Sequence, residues 1–182
     1  MVVDAPNVQS VVFKEQEGSY LVGVMAAKAS QTGKVGFVGG MDIPLIRKFE
    51  CGYRQGVMSV NASNEVFANM TGTTGAAWND PARGGELAKS QFSKGADVVF
   101  AAAGGTGMGV YQAAKDSGKL AIGVDSVSVL GLKEGGVDYA MDDNNAELVT
   151  ADMKAAVEAA KAGIISGDIK VADFMADNAC KL

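Results

Sequence analysis

The apolar positions of the chain fall into short runs separated by amphipathic stretches. KVGFVGG at 34–40, NEVFANMTG at 64–72, DVVFAAAGG at 97–105 and KLAIGVDS at 119–126 are compact, apolar and partly β-branched. Runs of that length, bounded by turn residues, suit strands buried on both faces of a parallel sheet. Stretches of helical length follow the first three: IRKFECGYRQGVMSV, ARGGELAKSQFSKG and GMGVYQAAKDSG. Asp80 and Pro81 mark a helix start, and Gly118 suits a helix end. Alternating strands and helices imply right-handed crossovers, so the pattern predicts an α/β three-layer sandwich around a mostly parallel sheet.

The flanks are less regular. QSVVFKEQ at 9–16 reads as an opening strand, followed by a helix, GSYLVGVMAAKAS, entered from Gly18 and Ser19. Downstream, SVLGLKEGGVDYAM reads as one or two short strands around a Gly-Gly turn. TADMKAAVEAAKAGIISG is a helix with Thr150 as its N-cap and Gly167 beyond its end. The ending, DIKVADFMADNACKL, reads as a loose tail with one apolar anchor, Phe174. The whole is read as one domain: opening strand and helix over 1–33, βα core over 34–126, and returning strands, helix and tail over 127–182.

Composition narrows the chemistry. A net charge of −5 over 182 residues leaves no basic face for nucleic acid or anionic lipid. The chain has no histidine, which excludes Ser-His and Cys-His nucleophilic catalysis, imidazole bases and the usual zinc ligand sets. Asp142 and Asp143, followed by two asparagines, lack the spacing and final glutamate of a calcium loop and read as a solvated turn. Neither a metal nor a cofactor is therefore expected. Cys51 and Cys180 form no C-x-x-C and read as free thiols. MVVDAPNVQS lacks the layout of a signal peptide, and no run of eighteen apolar residues occurs, so the chain as written reads as cytosolic or trimmed.

Ligands of open α/β sheets collect at the carboxyl ends of the strands, which here are the loops Gly39 to Pro44, Thr71 to Pro81, Ala103 to Gly107, and Asp125 with Ser126. The stretch DVVFAAAGGTGMG followed by Asp125 resembles a dinucleotide fingerprint, yet both registers fall short by one glycine: Gly105, Gly107, Val110, or Gly104, Thr106, Gly109. The alternatives are a turn whose glycines let a helix pack closely, or a small-molecule site using the same backbone amides. Trp78, the only tryptophan, lies in a loop at this edge, either to stack on a flat ring or to cap the sheet. Asp125 ends an apolar strand, where its carboxylate would accept from sugar hydroxyls or cap a turn. Asp42, before Pro44, is also a candidate N-cap.

Taken together, VVFKEQEGSYLVG, KVGFVGGMDIPLIRKFECGYRQG, WNDPARGGELAKSQFSKGADVVFAAAGGTGMGVYQAAK, AIGVDS and LGLKEGGVDYA resemble the basic membrane protein family. These are the purine-nucleoside-receptor-like solute-binding proteins of bacterial ABC importers. The resemblance implies two-lobed, type I periplasmic binding proteins, often lipoproteins at the outer face of the cell membrane, that close over a purine nucleoside or base, deliver it to an ABC permease and catalyse nothing. It implies that Trp78 stacks on the purine, that Gly104, Gly105 and Thr106 approach the ribose, and that Asp125 takes its hydroxyls, with Gly40 and Asp42 on the neighbouring loop. Family members are about twice as long, and they carry a further segment where Val127 to Val129 here join Ser126 to Leu130. The chain therefore reads as a single flavodoxin-like lobe, binding weakly or not at all, with an uncovered cleft face on which a second copy could dock. An isolated folding module without a ligand and a nucleotide-cofactor domain are the alternatives.

Overall fold

The computed structural model describes residue 7, residues 12–124, residue 139, residues 147–173 and residues 178–180. Its elements run α1 (Glu15–Ala29), β1 (Lys34–Met41), α2 (Pro44–Val60), β2 (Glu65–Gly72), α3 (Pro81–Ser93), β3 (Val98–Ala102), α4 (Gly107–Ser117), β4 (Leu120–Ile122) and α5 (Ala151–Ser166), with 3-10 turns at Gly75–Trp78 and Gly104–Thr106. The four strands form one parallel sheet in the order β2-β1-β3-β4.

The faces taken by the helices follow from this order and the right-handed crossovers of parallel sheets. From β1 the chain moves outward to β2 through α2, then returns past β1 to β3 through α3. Because both crossovers are right-handed, reversing direction across the sheet moves the connecting helix to the opposite face. The packing agrees, and alternate side chains of each strand sort to the two faces. Val35, Phe37, Val98, Phe100 and Ala102 meet Ala26 of α1 and Ile46, Tyr53 and Val57 of α2. Val38, Val99 and Ala101 meet Leu87 and Ala88 of α3 and Val110 and Ala113 of α4. Phe37, Tyr53 and Phe100 form an aromatic cluster on the first face, with Phe37 and Phe100 edge to face at 5.6 Å. Among the described residues the Tyr53 hydroxyl has no hydrogen-bond partner, and burial pushes its ionisation far above the ordinary tyrosine range.

The caps expected from the pattern are present. Asp80 Oδ1 accepts the Arg83 N–H at 2.9 Å, and Thr150 Oγ1 accepts the Met153 N–H at 3.2 Å. Gly118 and Gly167 end their helices with φ of 60° and 86°, where a side chain would be strained.

Three expectations are corrected. The opening strand is absent among the described residues: Val12 to Lys14 are irregular, and α1 begins at Glu15, three residues before the expected start. Gly52 of α2 leaves no room for a Cβ against the Gln16 backbone, so the early turns of α1 form by packing closely on α2. The cysteines are not free. Cys51 of α2 and Cys180 of the tail form a disulfide, with their Cα atoms 5.4 Å apart. The described part of the tail is consequently not loose: the Ala172 N–H donates to Gln55 Oε1 at 2.9 Å, and Asp173 lies 3.9 Å from Lys48 Nζ. Lys48, itself buried, also holds the Phe13 carbonyl at 2.6 Å and Glu15 at 2.8 Å, so both ends of the described chain are fastened to α2. Phe174, Asp142 and Asp143 lie outside the described residues, as does SVLGLKEGGVDYAM apart from Tyr139.

Candidate functional site

All four strands point the same way, so their carboxyl ends share one edge of the sheet. The reversal of order falls between β1 and β3, the switch point at which adjacent loops diverge to opposite faces and open a crevice. Gly39 and Gly40 lie on the β1 side of it, and Ala103 and the glycine turn on the β3 side.

Trp78 occupies this position. A Cβ at Gly40 would run into the six-membered part of its indole, so the glycine is what lets the ring lie down on the strand end. On the other side, Gly104 has a φ of +55°, and a Cβ built there would lie 3.4 Å from the Trp78 carbonyl and 3.8 Å from the indole. The ring packs on the cluster that contains Ala102 and Ile46, yet it remains half-buried. Sheet-capping and stacking, the two readings open from sequence, are thus compatible: one part of the indole covers the core while the rest faces out.

Gly104 and Gly105 are exposed, whereas Thr106 is fully buried. The Thr106 hydroxyl donates to the Ala77 carbonyl and accepts the Asp80 N–H, both at 2.8 Å. Its only proton is therefore spent on the Trp78 loop, and its burial keeps the hydroxyl from a ligand in the crevice. The neighbouring loops are tied in too: Thr71 Oγ1 donates to the Gly39 carbonyl at 2.9 Å, and the Asp42 N–H to the Gly72 carbonyl at 2.8 Å.

The structure brings Gly40, Trp78, Gly104, Gly105 and Thr106 together. Asp42 stands apart in its chemistry. Pro44 at the first turn of α2 makes Ile43 the N-cap, so Asp42 does not cap the helix as its sequence position suggested. Its carboxylate instead accepts two hydrogen bonds from the Arg47 guanidinium, at 2.8 and 2.7 Å, and Arg47 reaches on to Glu50 at 2.8 Å. The Arg47 bonds hold the Asp42 carboxyl below its ordinary 3.8. Replacing Arg47 by methionine is expected to return it to the ordinary range in an NMR titration. The pair's contribution to stability is full above the ordinary value and fades as the pH falls through the lowered one. Asp125 lies just outside the described residues; the last described residue before it, Val124, packs on the same cluster as Trp78.

One residue with site chemistry was passed over in the sequence. Asn79 is exposed directly after Trp78, and a Cβ on Gly105 would sit 3.1 Å from its Oδ1. The adjacent helix start at Asp80 and Pro81 drew attention away from it; the strand-end rule alone would have included it.

The glycine turn does not complete a dinucleotide site among the described residues. Gly109, the last position of one register, serves helix packing: a Cβ there would strike the Pro81 carbonyl and the Gly85 N–H of α3.

The family model for PnrA-like ABC transporter substrate-binding proteins matches residues 1–138. The chain belongs to that family. Among its curated relatives, the ABC transporter nucleoside-binding protein BmpA of Lactococcus lactis is 38% identical over 134 residues, which is 74% of this chain and 37% of the relative. The CD4+ T-cell-stimulating antigen of Listeria monocytogenes is 44% identical over 116 residues, 62% of this chain and 30% of the relative. Basic membrane protein D of Borreliella burgdorferi is 39% identical over 121 residues, 65% and 34%. The chain thus spans about a third of the length of these relatives. Solved structures agree on the fold. A solute-binding protein of an ABC transporter system from Conexibacter woesei superposes with a TM-score of 0.75 at 22% identity, covering 89% of this chain and 64% of that one. The counterpart from Aeropyrum pernix gives 0.69 at 22% identity, covering 89% and 65%. The family to which this PnrA-like chain belongs is one of substrate-binding proteins, and BmpA among its relatives is a nucleoside-binding protein. No described helix is long and apolar enough to cross a membrane.

Proposed function

We propose that this chain supplies one wall of a purine-nucleoside cleft in the substrate-binding protein of an ABC importer. The observation that carries the reading is the seat of the only tryptophan, laid over Gly40 and against Gly104 at the switch point of the sheet. An aromatic face beside an exposed glycine turn offers a stacking surface for a planar base and backbone groups for the sugar. Trp78 takes the base, Gly104 and Gly105 approach the ribose, and Asp125 accepts from its hydroxyls. Asp42, already paired with Arg47, shapes the rim together with Gly40. The nucleoside-binding relative supports the ligand class. No catalytic step is assigned to the site.

A single wall encloses a ligand on one side only, whereas small-molecule sites bury most of the ligand surface, so this chain alone binds weakly. Leu45 at the start of α2 and Met108 at the start of α4 are 41% and 63% exposed at this end of the fold, which favours a cover such as a second copy of the chain. In the importer the partner that receives the ligand is the ABC permease. The Cys51–Cys180 disulfide favours an oxidising location, in keeping with a binding protein acting outside the cytosol.

Titration with guanosine, inosine and adenosine, followed by Trp78 fluorescence and calorimetry, tests the reading. Weak binding is expected, and Trp78→Ala should lower it about 5- to 150-fold, given ~1–3 kcal/mol for a base stacked on an aromatic ring. Tight, saturable binding would contradict the one-wall reading. No response to any nucleoside at millimolar concentration would remove the site.

A further inference from the structure

Thr106 stands at the N-cap of α4, where a threonine hydroxyl ordinarily accepts an N–H from the first turn of its own helix. Here it makes no such bond. Its backbone is already helical, with φ −59° and ψ −29°, and the side chain turns away from α4 toward another loop. There it spans two backbone groups, the Ala77 carbonyl and the Asp80 N–H, one residue to either side of the Trp78–Asn79 pair. The side chain is completely buried, and α3 presses on it from a third direction, since a Cβ on Gly84 would strike the Thr106 carbonyl and Cγ2. The bonds link segments 26 and 29 positions apart in sequence.

We propose that Thr106 is a positioning residue that fixes the Trp78 loop against the glycine turn, and does not itself touch the ligand. This rests on the nucleoside-wall reading for its functional meaning. The physical reason lies in what else holds the indole. Its seat on Gly40 and Gly104 is made of van der Waals contact, which fixes distance but little direction. The Thr106 hydroxyl adds two directed bonds, and with both in place the tryptophan and the exposed amides of Gly104 and Gly105 form one rigid angle rather than two independent loops. A hydroxyl so buried has a further property: removing it leaves a carbonyl and an N–H without their partner, so the loop relaxes toward water. A valine fills the same volume and cannot replace either bond.

Because the chain has a single tryptophan, its emission reports on this loop alone. Thr106→Val is expected to red-shift the Trp78 emission and increase its quenching by acrylamide in the ligand-free protein. It should also weaken nucleoside binding about 10-fold, the scale expected when a buried, orienting hydrogen bond is lost. Thr106→Ser, which keeps the hydroxyl, should restore both. In the unsubstituted protein the Asp80 amide, although its residue is exposed, should exchange slowly with solvent. Unchanged Trp78 emission and quenching in a folded Thr106→Val protein would overturn the proposal, as would failure of serine to restore them. If valine prevents folding, rapid Asp80 exchange in the unsubstituted protein overturns it instead, and slow exchange supports it. Absence of nucleoside binding in the unsubstituted protein would defeat the ligand reading, while the emission and exchange measurements still decide whether Thr106 fixes the loop.

Discussion

Reducing the Cys51–Cys180 disulfide is expected to lower the melting temperature of the chain by about 4–20 °C. The two cysteines are 129 positions apart, so the bond closes most of the chain into one loop and removes a large part of the freedom of the unfolded state. Bridges over loops of that size contribute about 2–5 kcal/mol, and a domain of this length shifts by about 2–4 °C per kcal/mol. The bond also has structural work at one place: it holds the tail near the segment where Ala172 meets Gln55 and Asp173 approaches Lys48. Thermal melts with and without a reducing agent measure the shift. Cys180→Ser should reproduce it, since Cys51 left alone is a small buried side chain that the core accepts. Equal melting temperatures, together with alkylation of both cysteines in the unreduced protein, would contradict the prediction.

Gly109→Val is expected to destabilise the fold by about 3 kcal/mol or more, at the upper end of what overpacking costs. A side chain at this position meets backbone rather than flexible atoms: the Pro81 carbonyl and the Gly85 N–H of α3. Neither can move without separating α3 from α4, and these helices carry Leu87, Ala88, Val110 and Ala113 against one face of the sheet. The first turns of both helices also frame the Trp78 loop and the glycine turn, so binding should fall along with stability. Gly75→Ala is the control, because a Cβ there meets nothing within 4 Å and the change should be close to neutral. Urea denaturation of the two variants separates the effects; a loss common to both would indicate a general cost of replacing glycine, not a helix contact.

The arrangement of the candidate site was partly legible before any coordinates. That Trp78, Gly104 and Gly105 would meet could be read because strand ends in a parallel sheet share an edge, and that follows from the order of strands and helices alone. For Thr106, a hydroxyl in a glycine turn suggests a ligand, and only the folded chain shows it bonded to Ala77 and Asp80. Asp42 was similar. Its position before Pro44 suggested a cap, but the proline shifts the cap to Ile43, and Arg47, one turn into α2, takes the carboxylate.

By itself, the sequence determined the local periods: short apolar runs for β1 to β4, helical stretches between them, and stops at Gly118 and Gly167; the expected burial on both faces holds for β1 and β3, whereas β2 and β4 lie at the sheet edges and stay partly exposed. These depend on neighbours a few residues apart, where side-chain sterics and backbone hydrogen bonding act directly. The tertiary structure decided what depends on distant segments meeting. Gly52 lets α1 start early by approaching Gln16, Cys51 finds Cys180 across most of the chain, and Gly40 gives Trp78 its seat. Each is a contact whose partner is set by the packing of whole elements, and no period along the chain encodes which pair will touch.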